Sequence, residues 1–165
     1  MSSKITVLGV DPGLNKTGWG IVSVEGNYLK YLAHGVIQSD SKNNLAERLN
    51  AIYSGISEII VRFLPTEAAI EEIFMNSNPS SALKLGAARA AAMLAPAHAG
   101  ISVNEYGANK VKKAIVGVGH ADKSQIAMMI RRLMPTCPDV KNDAADALAV
   151  AICHINWMPR LKGAF

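Results

Sequence analysis

A chain of 165 residues, half of them apolar, is long enough to bury a hydrophobic core, and one domain is the economical expectation. No apolar run approaches the roughly 18 residues of a membrane-spanning helix, and Met1-Ser2-Ser3-Lys4-Ile5 enters a strand pattern with no room for a signal peptide. A formal net charge of +4 permits a polyanionic partner without requiring one, while two cysteines at no metal-binding spacing (Cys137 and Cys153) point to a reducing, cytoplasmic setting.

Residues 5–10 are rich in β-branched side chains and stop at Asp11-Pro12-Gly13, the pattern of a buried strand running into a turn. Residues 17–24 and 28–38 continue as strands on either side of Glu25-Gly26-Asn27, so the chain opens as an antiparallel meander. Ser39-Asp40-Ser41 offers capping groups for a long amphipathic helix. In it Leu45, Leu49, Ile52, Ile56, Ile59, Ile60 and Phe63 recur at helical spacing, and Pro65 marks its end. Residues 67–70 form a short strand whose tip delivers Glu71 and Glu72. A polar loop (76–79), an Ala-rich helix (80–97) and a fifth strand (101–106) follow, then helices over 110–116, 122–134 and 142–157. Residues 159–165 are a short basic tail expected to fray, which leaves 1–158 as the folded unit. This order predicts an α/β fold, a five-stranded mixed sheet flanked by helices on both faces.

In such sheets functional groups gather beyond the carboxyl ends of the strands. Asp11 stands there after the first strand and Glu71 after the fourth. Asp143 and Asp146, three residues apart, share one face of the last helix, with Cβ atoms roughly 5–6 Å apart. Each acid also has a plain alternative: an Asp-Pro-Gly turn for Asp11, a solvated strand end for Glu71, and a first helical turn favoured by the macrodipole for the late pair. If the four converge, the absence of His or Cys at ligand spacing suits a hard cation, Mg²⁺ or Mn²⁺ as a substitute. Two such ions would activate a water and stabilise a leaving oxygen in phosphodiester hydrolysis. Asp11 would then bridge both, Glu71 and Asp143 would hold one each, and Asp146 would complete the set.

Gly9-Val10-Asp11-Pro12-Gly13, Ala69-Ile70-Glu71-Glu72-Ile73-Phe74, Ser81-Ala82-Leu83-Lys84-Leu85-Gly86 and Asp143-Ala144-Ala145-Asp146-Ala147-Leu148-Ala149 together resemble the bacterial RuvC family of crossover junction endodeoxyribonucleases, or Holliday junction resolvases. The resemblance implies an RNase H-like fold and a homodimeric, Mg²⁺-dependent enzyme that nicks two strands symmetrically across four-way junction DNA. It further implies a cleavage-sequence preference and coupling to a RuvA–RuvB branch-migration complex. The family's acidic quartet falls on Asp11, Glu71, Asp143 and Asp146. Taken alone Phe74 reads more readily as a core residue; its match to the family's base-stacking phenylalanine reverses that reading. Lys112 and Lys123 match basic positions near the scissile phosphate, and Lys84 and Arg89 are further DNA-contact candidates. For Lys110, Lys112 and Lys113 the plain alternative is a solvated helix face. His154 lies about two turns from Asp146, too far to ligate with it. His34 and His98 read as structural or exposed, and His120 sits near Lys123. Two other classes fit less well. An actin-like ATPase needs a second phosphate-binding hairpin and a duplicated domain, and a binding module without catalysis has no use for an intact acidic quartet.

Overall fold

A computed structural model describes residues 3–73, 78–117 and 119–158. Five strands, β1 (Ile5–Asp11), β2 (Lys16–Glu25), β3 (Tyr28–Gln38), β4 (Glu67–Glu71) and β5 (Ser102–Tyr106), form one sheet in the order β3-β2-β1-β4-β5. β1, β2 and β3 are antiparallel neighbours, while β4 runs parallel to β1 and β5 parallel to β4. The mixed sheet expected from the element order is therefore present, with β1 at its centre.

Alternation along β1 distributes the core. Val7 turns to one face, where Val22, Val24 and Ala69 join the buried side of α3 (Ala108–Val116), α4 (Lys123–Leu133) and α5 (Asn142–Trp157). Leu8 and Val10 turn to the other face, against α1 (Leu45–Phe63) and α2 (Pro79–His98). Helices thus cover both faces.

α1 buries Ile52, Ile56, Ile59 and Ile60 of the predicted apolar stripe but leaves Leu45, in its first turn, exposed, and its cap differs from the expectation. Asn44, rather than a residue of Ser39-Asp40-Ser41, accepts the Glu47 N–H, and Glu47 returns the bond to the Asn44 N–H in a capping box. Asp40 instead accepts from Lys42 N–H at 2.9 Å, and the Ser39 hydroxyl donates to the Leu14 carbonyl. The helix closes at Leu64, in the left-handed region at φ 49°, directly before Pro65.

α5 is apolar almost all round because it lies across β1 and β2 rather than on the surface. Glycines in those strands permit the close approach. A Cβ at Gly9 would overlap the Ala147 carbonyl and the Ala151 side chain, and one at Gly18 would overlap the Asp143 backbone. The small residues of the helix meet the side-chain-free positions of the sheet, and this contact fixes where the N-terminus of α5 falls.

Phe74, the rest of the 74–77 segment and the tail from 159 onward lie outside the described residues. Among the described residues no helix is long and apolar enough to cross a membrane.

Candidate active site

Asp11 is the last residue of the central strand, and its partner across the β1–β2 ladder is Gly18. Because Gly18 has no side chain, the first turn of α5 settles against β2 there, which brings Asp143 beside Asp11. Asp146, one helical turn further on, faces the same point. Carboxylate oxygens of Asp11, Asp143 and Asp146 all lie within 4.8 Å of one another. Glu71 ends β4, and since Val10 pairs with Ile70 in the parallel ladder, Glu71 stands beside Asp11 at the carboxyl ends of the two interior strands. It falls outside the tight group of three. With Asp11 it lines a cavity of about 350 Å³ whose other walls include Pro12, Glu72, Leu85 and Ala108.

The acids pay for their proximity in proton affinity. Burial raises the Asp11 carboxyl from the usual 3.8 to about 8, with Glu71, Asp146 and Asp143 adding repulsion and Lys123 offsetting part of it. Burial and then Asp146 raise Glu71, while Lys112 and Lys123 pull it back. Asp146 is raised by burial and by Asp143, against the opposing pull of Lys123 and Lys112. Lys123 Nζ stands 3.8 Å from Asp146 Oδ2, largely exposed. The donors are all carboxylate oxygens, they repel one another when ionised, and the two nearby lysines only partly compensate. That combination fits a divalent cation with a preference for oxygen ligands.

The lysines proposed from sequence separate. Lys112 and Lys123 face the acids closely enough to shift them. Lys110, grouped with Lys112 and Lys113 in the sequence, turns away and packs over the Trp157 ring at 4.1 Å and the Tyr106 ring at 5.2 Å. Lys84 is exposed on α2. Arg89 points inward: its Nε donates to the Glu71 carbonyl at 3.3 Å, and its Nη2 pairs with Glu105. His154 is buried away from the acids, with Nδ1 2.8 Å from the Tyr106 hydroxyl and its pKa lowered by burial. His34 is bonded to the Tyr31 hydroxyl.

Sequence reasoning missed a second cavity of about 260 Å³ beyond Asp146, lined by Lys123, Ser124, Asp139, Lys141 and Asn142 among others. Asn142 has φ 56°, a left-handed conformation that asparagine adopts more readily than other residues with a side chain, directly in front of Asp143. The spacing of Gly9, Gly18 and Gly20 was the available signal for the seat of α5, since glycine inside a strand marks close backbone approach.

A five-stranded mixed sheet in this order, with helices on both faces and acids gathered at the carboxyl ends of its central strands, is the RNase H-like fold. The family model described as "Crossover junction endodeoxyribonuclease RuvC" matches residues 7–154, and the chain belongs to that family of endonucleases. The enzyme of that name from Caulobacter sp. (strain K31) is 56% identical over 152 residues, covering 92% of this chain and 90% of its own. That from Bartonella bacilliformis is 48% identical over 167 residues, covering 99% of this chain and all of its own. Among solved structures, Thermus thermophilus RuvC in complex with a Holliday junction substrate superposes with a TM-score of 0.85 at 33% identity, over 92% of this chain and 93% of the other. The yeast mitochondrial Holliday junction resolvase Ydc2, at 12% identity and a TM-score of 0.67, shares the fold.

Proposed function

We propose that this chain resolves four-way (Holliday) DNA junctions by paired symmetric nicks, in homologous recombination and DNA repair, with residues 1–158 acting as one nuclease domain in the cytoplasm. The observation that carries the reading is the gathering of Asp11, Asp143 and Asp146 within 4.8 Å, with Glu71 beside them, at an edge open to a polyanion. Their donor set suits Mg²⁺, with Mn²⁺ as a substitute, and four carboxylates are enough to share two ions. When bound, such ions supply an activated water and stabilisation of the leaving oxygen, yielding 5′-phosphate and 3′-hydroxyl ends.

The chain's own residues bind and orient. Asp11, Glu71, Asp143 and Asp146 hold the metals. Lys112 and Lys123, already directed at the acids, hold the scissile phosphate among them and contribute a salt-dependent part of affinity. Lys84, exposed on α2, reaches the flanking backbone. Phe74 stacks on an unpaired base at the crossover; loss of the fluorescence change of 2-aminopurine at the crossover in Phe74→Ala tests that role.

A substrate with pseudo-twofold symmetry calls for a homodimer. In support, α2 exposes Leu83 (76%) and Leu94 (59%), with Ala90 and Ala97 on the same helical face at successive intervals of seven, four and three residues, which suits close packing against a second copy. The partnership with a RuvA–RuvB branch-migration complex rests on the family resemblance.

A synthetic four-way junction and a linear duplex of the same sequence, each end-labelled and incubated with Mg²⁺, test the proposal. Symmetric nicks in the junction alone support it; equal cleavage of the duplex rejects structure selectivity.

A further inference from the structure

Pro12, directly after Asp11, removes a donor from the sheet where Glu71 would use one. β1 and β4 pair in parallel with Val10 beside Ile70, and the Glu72 N–H donates to the Tyr106 carbonyl at 2.9 Å. Successive residues of an interior strand direct their backbone groups to alternate neighbours. Ile70 and Glu72 therefore face β5, and Glu71 faces β1. Continued by one step, the ladder would join the Glu71 carbonyl to the amide of position 12. Proline has no N–H to offer.

Arg89 of α2 fills that place. Its Nε donates to the Glu71 carbonyl at 3.3 Å, and its Nη2 pairs with Glu105, which sits beside Ile70 in the β4–β5 register. The guanidinium is fastened to β4 and β5 at once, and the Arg89 side chain is only 18% exposed. Glu71 is the last residue of β4: it is paired with Tyr106 of β5, but no β1 residue is paired beside it in the register, so on the side facing Asp11 Arg89 supplies the bond that the ladder lacks.

We propose that Arg89 is a positioning residue for Glu71: it bonds the carbonyl that Pro12 leaves unpaired and so fixes the Glu71 carboxylate against Asp11. The inference rests on the reading of Glu71 as a metal ligand. Lysine is no substitute, since a single ammonium cannot hold a carbonyl and a carboxylate in the fixed geometry of a guanidinium fork.

The test compares the full chain with Arg89→Met, Arg89→Lys, the double variant Arg89→Met/Pro12→Ala, and Glu71→Gln. Mn²⁺ binding without DNA is followed by electron paramagnetic resonance, junction affinity by fluorescence anisotropy, and Mg²⁺ dependence by cleavage. Both Arg89 variants should weaken Mn²⁺ binding and raise the Mg²⁺ needed for half-maximal cleavage by roughly tenfold, as loss of a group supporting a metal ligand does. Junction affinity should stay unchanged. Pro12→Ala returns an N–H to position 12 and should recover part of the Mn²⁺ affinity lost in Arg89→Met. If Arg89→Met does not fold, Arg89→Lys, which keeps the charge, carries the comparison. Weakened junction binding with unchanged Mn²⁺ affinity would make Arg89 a DNA contact and overturn the proposal. Glu71→Gln separates the two readings. Native Mn²⁺ affinity in Glu71→Gln removes Glu71 as a ligand, whereas loss there with native affinity in both Arg89 variants rejects the positioning role alone.

Discussion

Gly18 and Asp143 occupy one another's space: a β-carbon at Gly18 would fall on the Asp143 backbone, and Gly18 is the cross-strand partner of Asp11. The missing side chain on β2 is thus what lets an acid of the last helix stand beside an acid of the first strand.

Gly18→Ala should therefore lower cleavage far more than it lowers stability. Overpacking of this kind costs about 1–3 kcal/mol, but the displaced part is the first turn of α5, which carries Asp143. Gly55→Ala is the control, because the nearest atoms a β-carbon there would meet belong to the Ile37 side chain, away from the acids. It should shift the melting temperature and spare the cleavage rate. Equal rates in the two variants would show that Gly18 does not set the geometry.

The raised proton affinity of Asp11 makes a signed prediction about stability. Its carboxyl titrates near 8 in the folded protein against 3.8 ordinarily, so the native state binds the proton more tightly. The stabilisation from that proton is full below pH 3.8 and is lost as pH rises toward 8. In EDTA, Asp11→Asn, which cannot ionise, should melt above the parent at pH 8, and the gap should close toward pH 4. Mg²⁺ should raise the melting temperature of the parent at pH 8 and do little at pH 4, where protonated carboxyls bind no metal. A gap independent of pH would mean that neither burial nor the neighbouring acids raise the proton affinity of Asp11.

Lys123→Ala should act in two ways. Losing one phosphate contact should reduce the salt dependence of junction binding by about one unit of slope. Lys123 also holds down Asp11, Glu71 and Asp146, so its loss raises their proton affinity further and moves the acid limb of the pH–rate profile upward. An unchanged salt slope would place Lys123 off the DNA.

Much of this fold was legible because its signals are local. Alternation in β1, the heptad-like stripe of α1 and the uninterrupted apolar run of α5 each report burial through spacing alone. The acids were legible as candidates because strand ends and helix faces follow from the same periodicities. What escaped depends on contacts across the chain. One local signal also escaped: Ser39-Asp40-Ser41 is the expected capping segment, whereas Asn44 followed three residues on by Glu47 is a capping box. By residue type Lys110 and Lys112 are alike and only the family resemblance singles out Lys112; in the fold one lies over Trp157 and the other faces the acids. Arg89 is expected from sequence to contact DNA, and its inward bond to the Glu71 carbonyl, 18 residues away in the chain, has no local pattern to announce it.

The most direct measurement is Mg²⁺-dependent cleavage of a four-way junction by Asp143→Asn, with binding to the same junction followed in parallel. Removing one carboxylate from the group of three should abolish cleavage and leave junction affinity nearly intact or slightly tighter, because a negative charge has left the DNA-facing edge. Cleavage at the parent rate, or affinity lost in proportion to activity, would contradict a metal-holding role for Asp143 and the nuclease site built on it.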